Sequence, residues 1–337
     1  MTGSTNANQH HSENWQQQLA AGFSDIEKLC RYLQLVPTDL GISRTAAAAF
    51  PLRVPQGFAA RMEKGNPEDP LLLQVLPVEQ EMHPYPGFGT DPVGDLDAIS
   101  ETGVLHKYHG RVLFIISGSC AINCRYCFRR HFPYADVQLS RKKQRAAVQY
   151  IEDNPAISEV ILSGGEPLLW NDARLGELFQ RLASIDHLQR IRIHSRLPIV
   201  LPSRITPQLL DCLGQSRQQV ILVLHSNHAN EISTDVASAC KALRERNITL
   251  LNQSVLLKNI NDSPGKLCLL SEKLFQAGIL PYYLHLLDKT TGTGHFLVSE
   301  TNARNIIREV QNRLPGYLVP KLVKEEAGRL SKTAIAL

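Results

Sequence analysis

Short apolar runs, each followed by a polar cluster and then an amphipathic stretch, set the rhythm of this chain. The runs Val112–Ile116, Val160–Leu162, Ile191–Ile193, Val220–Leu224, Thr249–Leu251 and Leu280–Leu284 are nearly continuous and rich in β-branched residues. That pattern predicts strands buried on both faces, as in a parallel sheet. Between the runs, apolar residues recur at helical spacing. Leu175, Leu178, Phe179, Leu182 and Ile185 form one stripe, Ile232, Val236, Cys240 and Leu243 a second, and Leu267, Leu270 and Leu274 a third. Strands alternating with helices imply an α/β fold with a parallel sheet and right-handed crossovers. Six such units are too few to close an eight-fold barrel.

The flanks read differently. The first dozen residues form a polar tail, Trp15 to about Gln34 has a helical pattern, and Phe58–Lys64 adds a further turn or two. Pro77, Pro84, Pro86 and Pro92, with Gly87, Gly89 and Gly94, mark an irregular connector. After the repeating part come a helix over Arg304–Leu314, a strand over Gly316–Val323 and a short tail. This divides the chain into a helical extension and connector (1–95), a central α/β domain (96–290) and a C-terminal helix, strand and tail (291–337).

Composition narrows the setting. A chain of 337 residues, 43% hydrophobic and 20% charged, can bury a large core and reads as soluble and globular. A net charge of +4 offers no basis for a nucleic-acid partner. The dense basic run Arg141-Lys142-Lys143-Gln144-Arg145 reads as the solvated opening of a helix. The polar N-terminus lacks the apolar core of a secretion signal, and no apolar run approaches the roughly 18 residues of a membrane span. A cytoplasmic protein without a membrane partner is expected. Cys30, Cys212, Cys240 and Cys268 show no pairing pattern and read as free thiols in a reducing compartment.

The remaining cysteines carry the chemistry. Cys120, Cys124 and Cys127 stand as C-x3-C-x2-C with no fourth cysteine nearby. A [4Fe-4S] cube normally takes four thiolates, so three would leave one iron open to a bidentate small molecule. The other readings are a zinc site completed by His131 or three unrelated buried thiols, although zinc usually draws its ligands as separated pairs. Polar residues gather just after the apolar runs: Ser163-Gly164-Gly165-Glu166-Pro167, His194-Ser195-Arg196, His225-Ser226-Asn227-His228, Asn252-Gln253-Ser254, then His285 and Asp288. In parallel α/β barrels the C-terminal ends of the strands carry the active site. Gly164 and Gly165 would let the backbone approach a ligand closely. His194, His225, His228 and His285 read as hydrogen-bonded wall residues, and their spacing suggests no metal beyond the cluster.

The cysteine spacing followed by SGGEP resembles the radical S-adenosylmethionine (radical SAM) superfamily. Within it, DPVGD, CRYCFRRHF, SGGEPL, IRIHSRLPIVLPSRIT, LHSNHANE, NQSVLL, PYYLHLLD and GHF, spread from Asp91 to Phe296, resemble lysine 2,3-aminomutases. The resemblance implies a partial (β/α)6 TIM-like barrel and a [4Fe-4S] cluster on Cys120, Cys124 and Cys127. SAM would occupy the open iron, and an electron from the cluster would split it to a 5'-deoxyadenosyl radical. Phe128 would lie near the adenine, with Gly164, Gly165, Glu166, His194, Ser195 and Gln253 also at SAM, Glu166 accepting from its amino group.

Relatives of this kind also use pyridoxal 5'-phosphate (PLP), because moving an amino group from Cα to Cβ has no easy polar route. The matching PLP lysine is Lys332, beyond Gly316-Tyr317-Leu318-Val319-Pro320, with Lys324 as the fallback. Ala327-Gly328-Arg329-Leu330-Ser331 departs from the glycine-rich loop of larger members. Arg111 would contact PLP. Arg129, or else Arg130, would grip the substrate carboxylate, since a guanidinium suits bidentate pairing. Asp288 and Glu325, the latter longer than its family counterpart, would receive the distal ammonium of L-lysine. The short chain resembles the branch that makes (R)-β-lysine, which a separate ligase attaches to elongation factor P, with an electron donor such as flavodoxin. Open alternatives are an aminomutase for another amino acid such as glutamate, a PLP-independent radical SAM enzyme, and a non-catalytic iron-sulfur or zinc protein.

Overall fold

A computed structural model describes residues 14–99, 104–134 and 140–337; the expected N-terminal tail lies outside them. One sheet of nine strands organises the chain, and its spatial order is the chain order. β1 (Val104–Tyr108) pairs antiparallel with β2 (Arg111–Ser117). From β2 the sheet is parallel through β3 (Glu159–Gly164), β4 (Arg190–Ser195), β5 (Gln219–His225), β6 (Thr249–Val255), β7 (Leu280–His285) and β8 (Lys321–Lys324). β9 (Thr333–Ala334) turns back antiparallel on β8. The fold is thus a partial TIM-like α/β barrel, open between β1 and β9. Its parallel stretch runs one strand beyond the expected six. The strand expected over Gly316–Val323 is shorter, because Gly316–Leu318 forms a 3-10 turn and pairing starts at Lys321.

The helices form where the apolar stripes predict them. Asp172–Ala183, Thr234–Arg244, Pro264–Gln276 and Glu300–Arg313 each start on a side-chain cap, from Asn171, Ser233, Ser263 and Ser299 respectively. Each cap accepts the backbone N–H three residues on, satisfying a donor that the first helical turn leaves free. Leu175, Leu178, Phe179 and Leu182 then pack in one core with Val160, Leu162, Ile191, Ile193, Leu222 and Leu224 from the strands. Burial of each such side chain contributes about 1.5–3 kcal/mol. The basic run expected to open a helix does so, at Arg141–Glu152.

Two expectations need correction. The strands are not apolar on both faces: burial alternates along β4 and β6. One face packs on the helices, while Leu113, Ile161, Ser163, Arg192, His194, His225, Gln253, Tyr283 and His285 from the other face line an internal cavity. Period-two geometry makes this division unavoidable once a polar ligand site occupies the lumen. Nor is Trp15–Gln34 one helix. It breaks into Trp15–Ala20 and Ile26–Tyr32, because Phe23 exchanges backbone hydrogen bonds of 2.7 and 2.9 Å with Val54. Likewise the helix suggested over Phe58–Lys64 is a single turn, Gln56–Ala59.

Candidate active site

The cavity inside the partial barrel measures about 330 Å³, within the range of small-molecule sites. Each first choice named above for the cluster, SAM, PLP or lysine lines it: Cys120, Cys124, Cys127, Phe128, Gly164, Gly165, Glu166, His194, Ser195, Gln253, Arg111, Lys332, Arg129, Asp288 and Glu325. These positions span most of the chain, and the topology brings them onto one surface. His131, the residue that would complete a zinc site, is exposed against the Thr291 carbonyl and lies outside the lining. Arg130 turns away to Glu81 and the carbonyls of Arg125 and Gly292, and Lys324 pairs with Glu300 and Glu326. Neither alternative therefore faces the cavity.

At one end sit the three thiols. Burial pushes Cys120 well above its ordinary range and Cys127 up to about 11; repulsion from neighbouring thiolates, Cys127 and Cys124 on Cys120 and Cys124 on Cys127, adds to both. Three such thiols on one wall suit a cationic iron cluster, whose positive charge offsets their mutual repulsion and keeps them deprotonated. The N-terminal segment holds their loop in place. Arg53 Nη1 donates to the Cys120 carbonyl (2.7 Å), Asn123 Nδ2 to the Pro51 carbonyl (2.8 Å), and the Arg125 N–H to the Gln74 carbonyl (2.8 Å). The fully buried Arg125 forks onto Glu81 with contacts of 2.7 and 2.6 Å.

Gly164 and Gly165 explain how β3 meets that loop. Gly164 has φ +118°, and a Cβ there would lie 2.4 Å from the Ser117 carbonyl oxygen; at Gly165 it would lie 2.4 Å from the Ser119 carbonyl oxygen. The close approach these glycines permit is thus to the cysteine loop itself, in addition to any ligand. Glu166 is more committed than expected. It accepts from Ser195 Oγ (2.7 Å) and from the N–H groups of Leu168, Arg196 and Leu197, tying the end of β3 to that of β4. In the role the resemblance implies, it would exchange one of these bonds. Burial raises its carboxyl to about 7, against the pull of those hydrogen bonds.

The opposite end holds Lys332. β8 and β9 pair as a hairpin whose loop begins at Glu325 and ends at Lys332, so the two side chains meet. Lys332 Nζ donates to Glu325 Oε2, and Tyr108 Oη donates to Glu325 Oε1 at 2.9 Å. Burial alone would raise Glu325, but Lys332 and these hydrogen bonds hold it below the usual carboxylate range. Asp288 has no hydrogen-bond partner for its carboxylate among the described residues. Burial, then repulsion from Glu325, raises it to about 7. For PLP, this end offers an amine for the aldehyde and two arginines, Arg111 and Arg192, for a phosphate. The buried Arg111 Nε has no hydrogen-bond partner among the described residues, and its guanidinium stacks on the Tyr108 ring at 4.7 Å. The residues present fit both groups.

Arg129 lies between the ends. Its Nε donates to Asp95 at 2.8 Å and Nη1 to Ser163 Oγ at 3.3 Å, while Nη2 makes no hydrogen bond among the described residues. Asp95, also paired with Lys107, is a site residue that sequence reasoning missed, although it closes the quoted DPVGD motif. Of the histidines, His225 bonds Tyr126 Oη (2.7 Å), and His228 Nδ1 accepts from the Asn230 N–H outside the cavity lining. His194 and His285 line the cavity with Nε2 unpartnered among the described residues, and burial drives both well below the usual imidazole range. They are less the hydrogen-bonded walls expected than neutral groups free to bond a ligand.

The pattern defining the radical SAM superfamily matches residues 114–268. Over 96% of this chain and 95% of the relative, the sequence is 48% identical to a protein of Escherichia coli strain K12 named L-lysine 2,3-aminomutase. A Haemophilus influenzae protein of the same name is also 48% identical, over 96% of each chain. Among solved structures, a radical SAM methyltransferase from Sphaerobacter thermophilus aligns over 66% of this chain and 68% of its own, with TM-score 0.42 and 15% identity. No helix among the described residues is long and apolar enough to cross a membrane.

Proposed function

The chain belongs to the lysine 2,3-aminomutase family of radical SAM enzymes, and from that premise we propose that it is an isomerase converting L-lysine to (R)-β-lysine with PLP as a further cofactor. The observation that carries this reading is one cavity with three thiols at one end and, at the other, a lysine amine beside two carboxylates. When bound, the cluster and SAM supply a carbon-centred radical and PLP a conjugated ring on which nitrogen can migrate.

The chain's own residues bind, orient and exclude water. Cys120, Cys124 and Cys127 hold the cluster, and Lys332 holds PLP with Arg111 at its phosphate. Arg129 offers Nη2 and part of Nη1 to the substrate carboxylate; its Nε bond to Asp95 keeps the guanidinium plane fixed. Asp288 and Glu325 receive the distal ammonium, which favours lysine over glutamate, since two acids repel a second carboxylate. Gly164, Gly165, Glu166, Phe128, His194, Ser195 and Gln253 form the SAM wall. Buried neutral imidazoles at His194 and His285 add no cation to repel the substrate's ammonium groups. The free thiols of Cys30, Cys212, Cys240 and Cys268 suit residence in the reducing cytoplasm.

The test is anaerobic. Reconstituted protein with L-lysine, SAM, PLP and dithionite should yield β-lysine by mass-resolved chiral chromatography. Cleavage of SAM with only α-lysine recovered would overturn the reading. Lys332→Ala should abolish the visible absorbance of bound PLP while retaining iron. We further propose that the product serves the modification of elongation factor P by a separate ligase, with electrons from a flavodoxin-type donor. Adding ligase and elongation factor P to the reaction should then increase the factor's mass by one lysyl residue; an unchanged mass rejects that use.

A further inference from the structure

Beside the cysteines, in part lining the same cavity, lies a buried polar network centred on a residue that no step above uses. Its centre is Arg196, just past the end of β4. Nη1 donates to Cys124 Sγ (2.7 Å) and to Tyr126 Oη (2.6 Å); Nη2 donates to Gln74 Oε1 (2.7 Å) and Glu231 Oε2 (2.9 Å). Glu231 is fully buried and is itself fixed, because Oε1 accepts from the Asn227 and His228 N–H groups and from Gln74 Nε2. The guanidinium is therefore held by the N-terminal segment, the cysteine loop and the loop after β5 at once.

We infer that Arg196 is a positioning residue that sets the reduction potential of the cluster through Cys124. Two observations point this way. A buried ion pair is a weak stabiliser, because desolvation offsets most of the attraction. Yet this one is retained with Arg196 Nε buried and, among the described residues, unpartnered, a cost that calls for a purpose beyond bracing. The purpose is in the direction of Nη1, a cationic donor aimed at a cluster thiolate. On reduction the cluster takes up one electron, and the added negative charge spreads over its sulfurs. A charged hydrogen bond to one of them stabilises the reduced form more than the oxidised form, so the potential rises. Arg196 keeps its proton throughout, and no bond to it forms or breaks. Glu231 opposes the effect, since its carboxylate cancels part of the guanidinium charge.

This inference rests on the cluster reading above, and its test separates the two. The midpoint potential of the reconstituted protein without SAM is read by electron paramagnetic resonance during a redox titration, with iron content as the control. Arg196→Gln should make the cluster at least tenfold harder to reduce, a shift of 59 mV or more to lower potential for a one-electron couple. Glu231→Gln, nearly isosteric and uncharged, should shift the potential the other way. Opposite signs support the inference, because loosened packing would not produce them. Shifts of the same sign, or none, overturn it. If Arg196→Gln retains no iron, Glu231→Gln decides alone: a rise supports the inference, and no change or a fall rejects it. A parent protein that forms no [4Fe-4S] cluster removes the cluster reading, and this inference with it. A parent that forms the cluster and cleaves SAM, with variants that do not shift, removes only the inference.

Discussion

The two ends of the cavity are built on different principles. Around the cysteines, the chain supplies buried, multiply bonded groups from distant segments: Gln74 and Glu81 from the N-terminal part, Arg125 from the loop itself, and Arg196 and Glu231 from beyond β4 and β5. Around Lys332 the support is slight. β9 is two residues long, Leu330 is 85% exposed, and the loop is drawn inward chiefly by the pair of its own first and last residues. Local stability follows the density of buried contacts. A metal cluster requires fixed donors, whereas the proposed lysine substrate must enter and leave. Buried support is dense around the thiols and sparse around the amine.

Four experiments sharpen or break this contrast. The largest effect belongs to Cys124→Ala, which should lose the cluster and all reductant-dependent SAM cleavage; iron analysis and 5'-deoxyadenosine assay check it. Arg125→Ala comes next. It leaves Glu81 buried with only Arg130 for a charged partner and should cost about 3–5 kcal/mol by denaturant unfolding. A loss below about 1 kcal/mol would show that the cluster end is not braced as described. Glu325→Ala should weaken lysine binding roughly 10- to 100-fold, for the loss of one charged hydrogen bond of about 1.5–3 kcal/mol. It should leave iron content and unfolding midpoint nearly unchanged, and a large stability loss would erase the contrast. The smallest effect is on pH. Asp288 titrates near 7 because it is buried beside Glu325. It is neutral below that value and cannot pair with an ammonium, so lysine affinity should rise with pH through about 7, by at most about tenfold per unit. Asp288→Asn should flatten the profile; an unaltered slope would assign it to another group.

How much of this was legible in the sequence depended on whether the signal was local. The strand runs, the three helix stripes between them and the C-x3-C-x2-C loop are patterns within a few residues, and each appears where its pattern lies. The lumen was misjudged because Arg192 and Tyr283 sit inside runs that look apolar on average, while His194 and Gln253 belong to strands that continue past the runs; only the folded barrel shows that they share a face. The bracing of the cysteines was invisible for a different reason. Arg196 meets Gln74 across 122 residues, and no local spacing encodes that pairing. Asp95 stood in a recognised motif with no role, since its partners Arg129 and Lys107 declare themselves only in space. Lys332 came from resemblance alone, and its approach to Glu325 depends on a two-residue strand too short to leave a periodicity.

Strand order that equals chain order has a consequence for synthesis. Each strand can dock on one already delivered by the ribosome, with no gap to be filled later from downstream. At about 5–20 residues per second, Lys332 emerges on the order of 10–40 s after Cys127. Throughout that interval the nascent chain already carries the three cysteines, gains Arg196 and Glu231 beside them on the way, and lacks the amine of the opposite end. Metal loading during translation would therefore act on a half-built vessel.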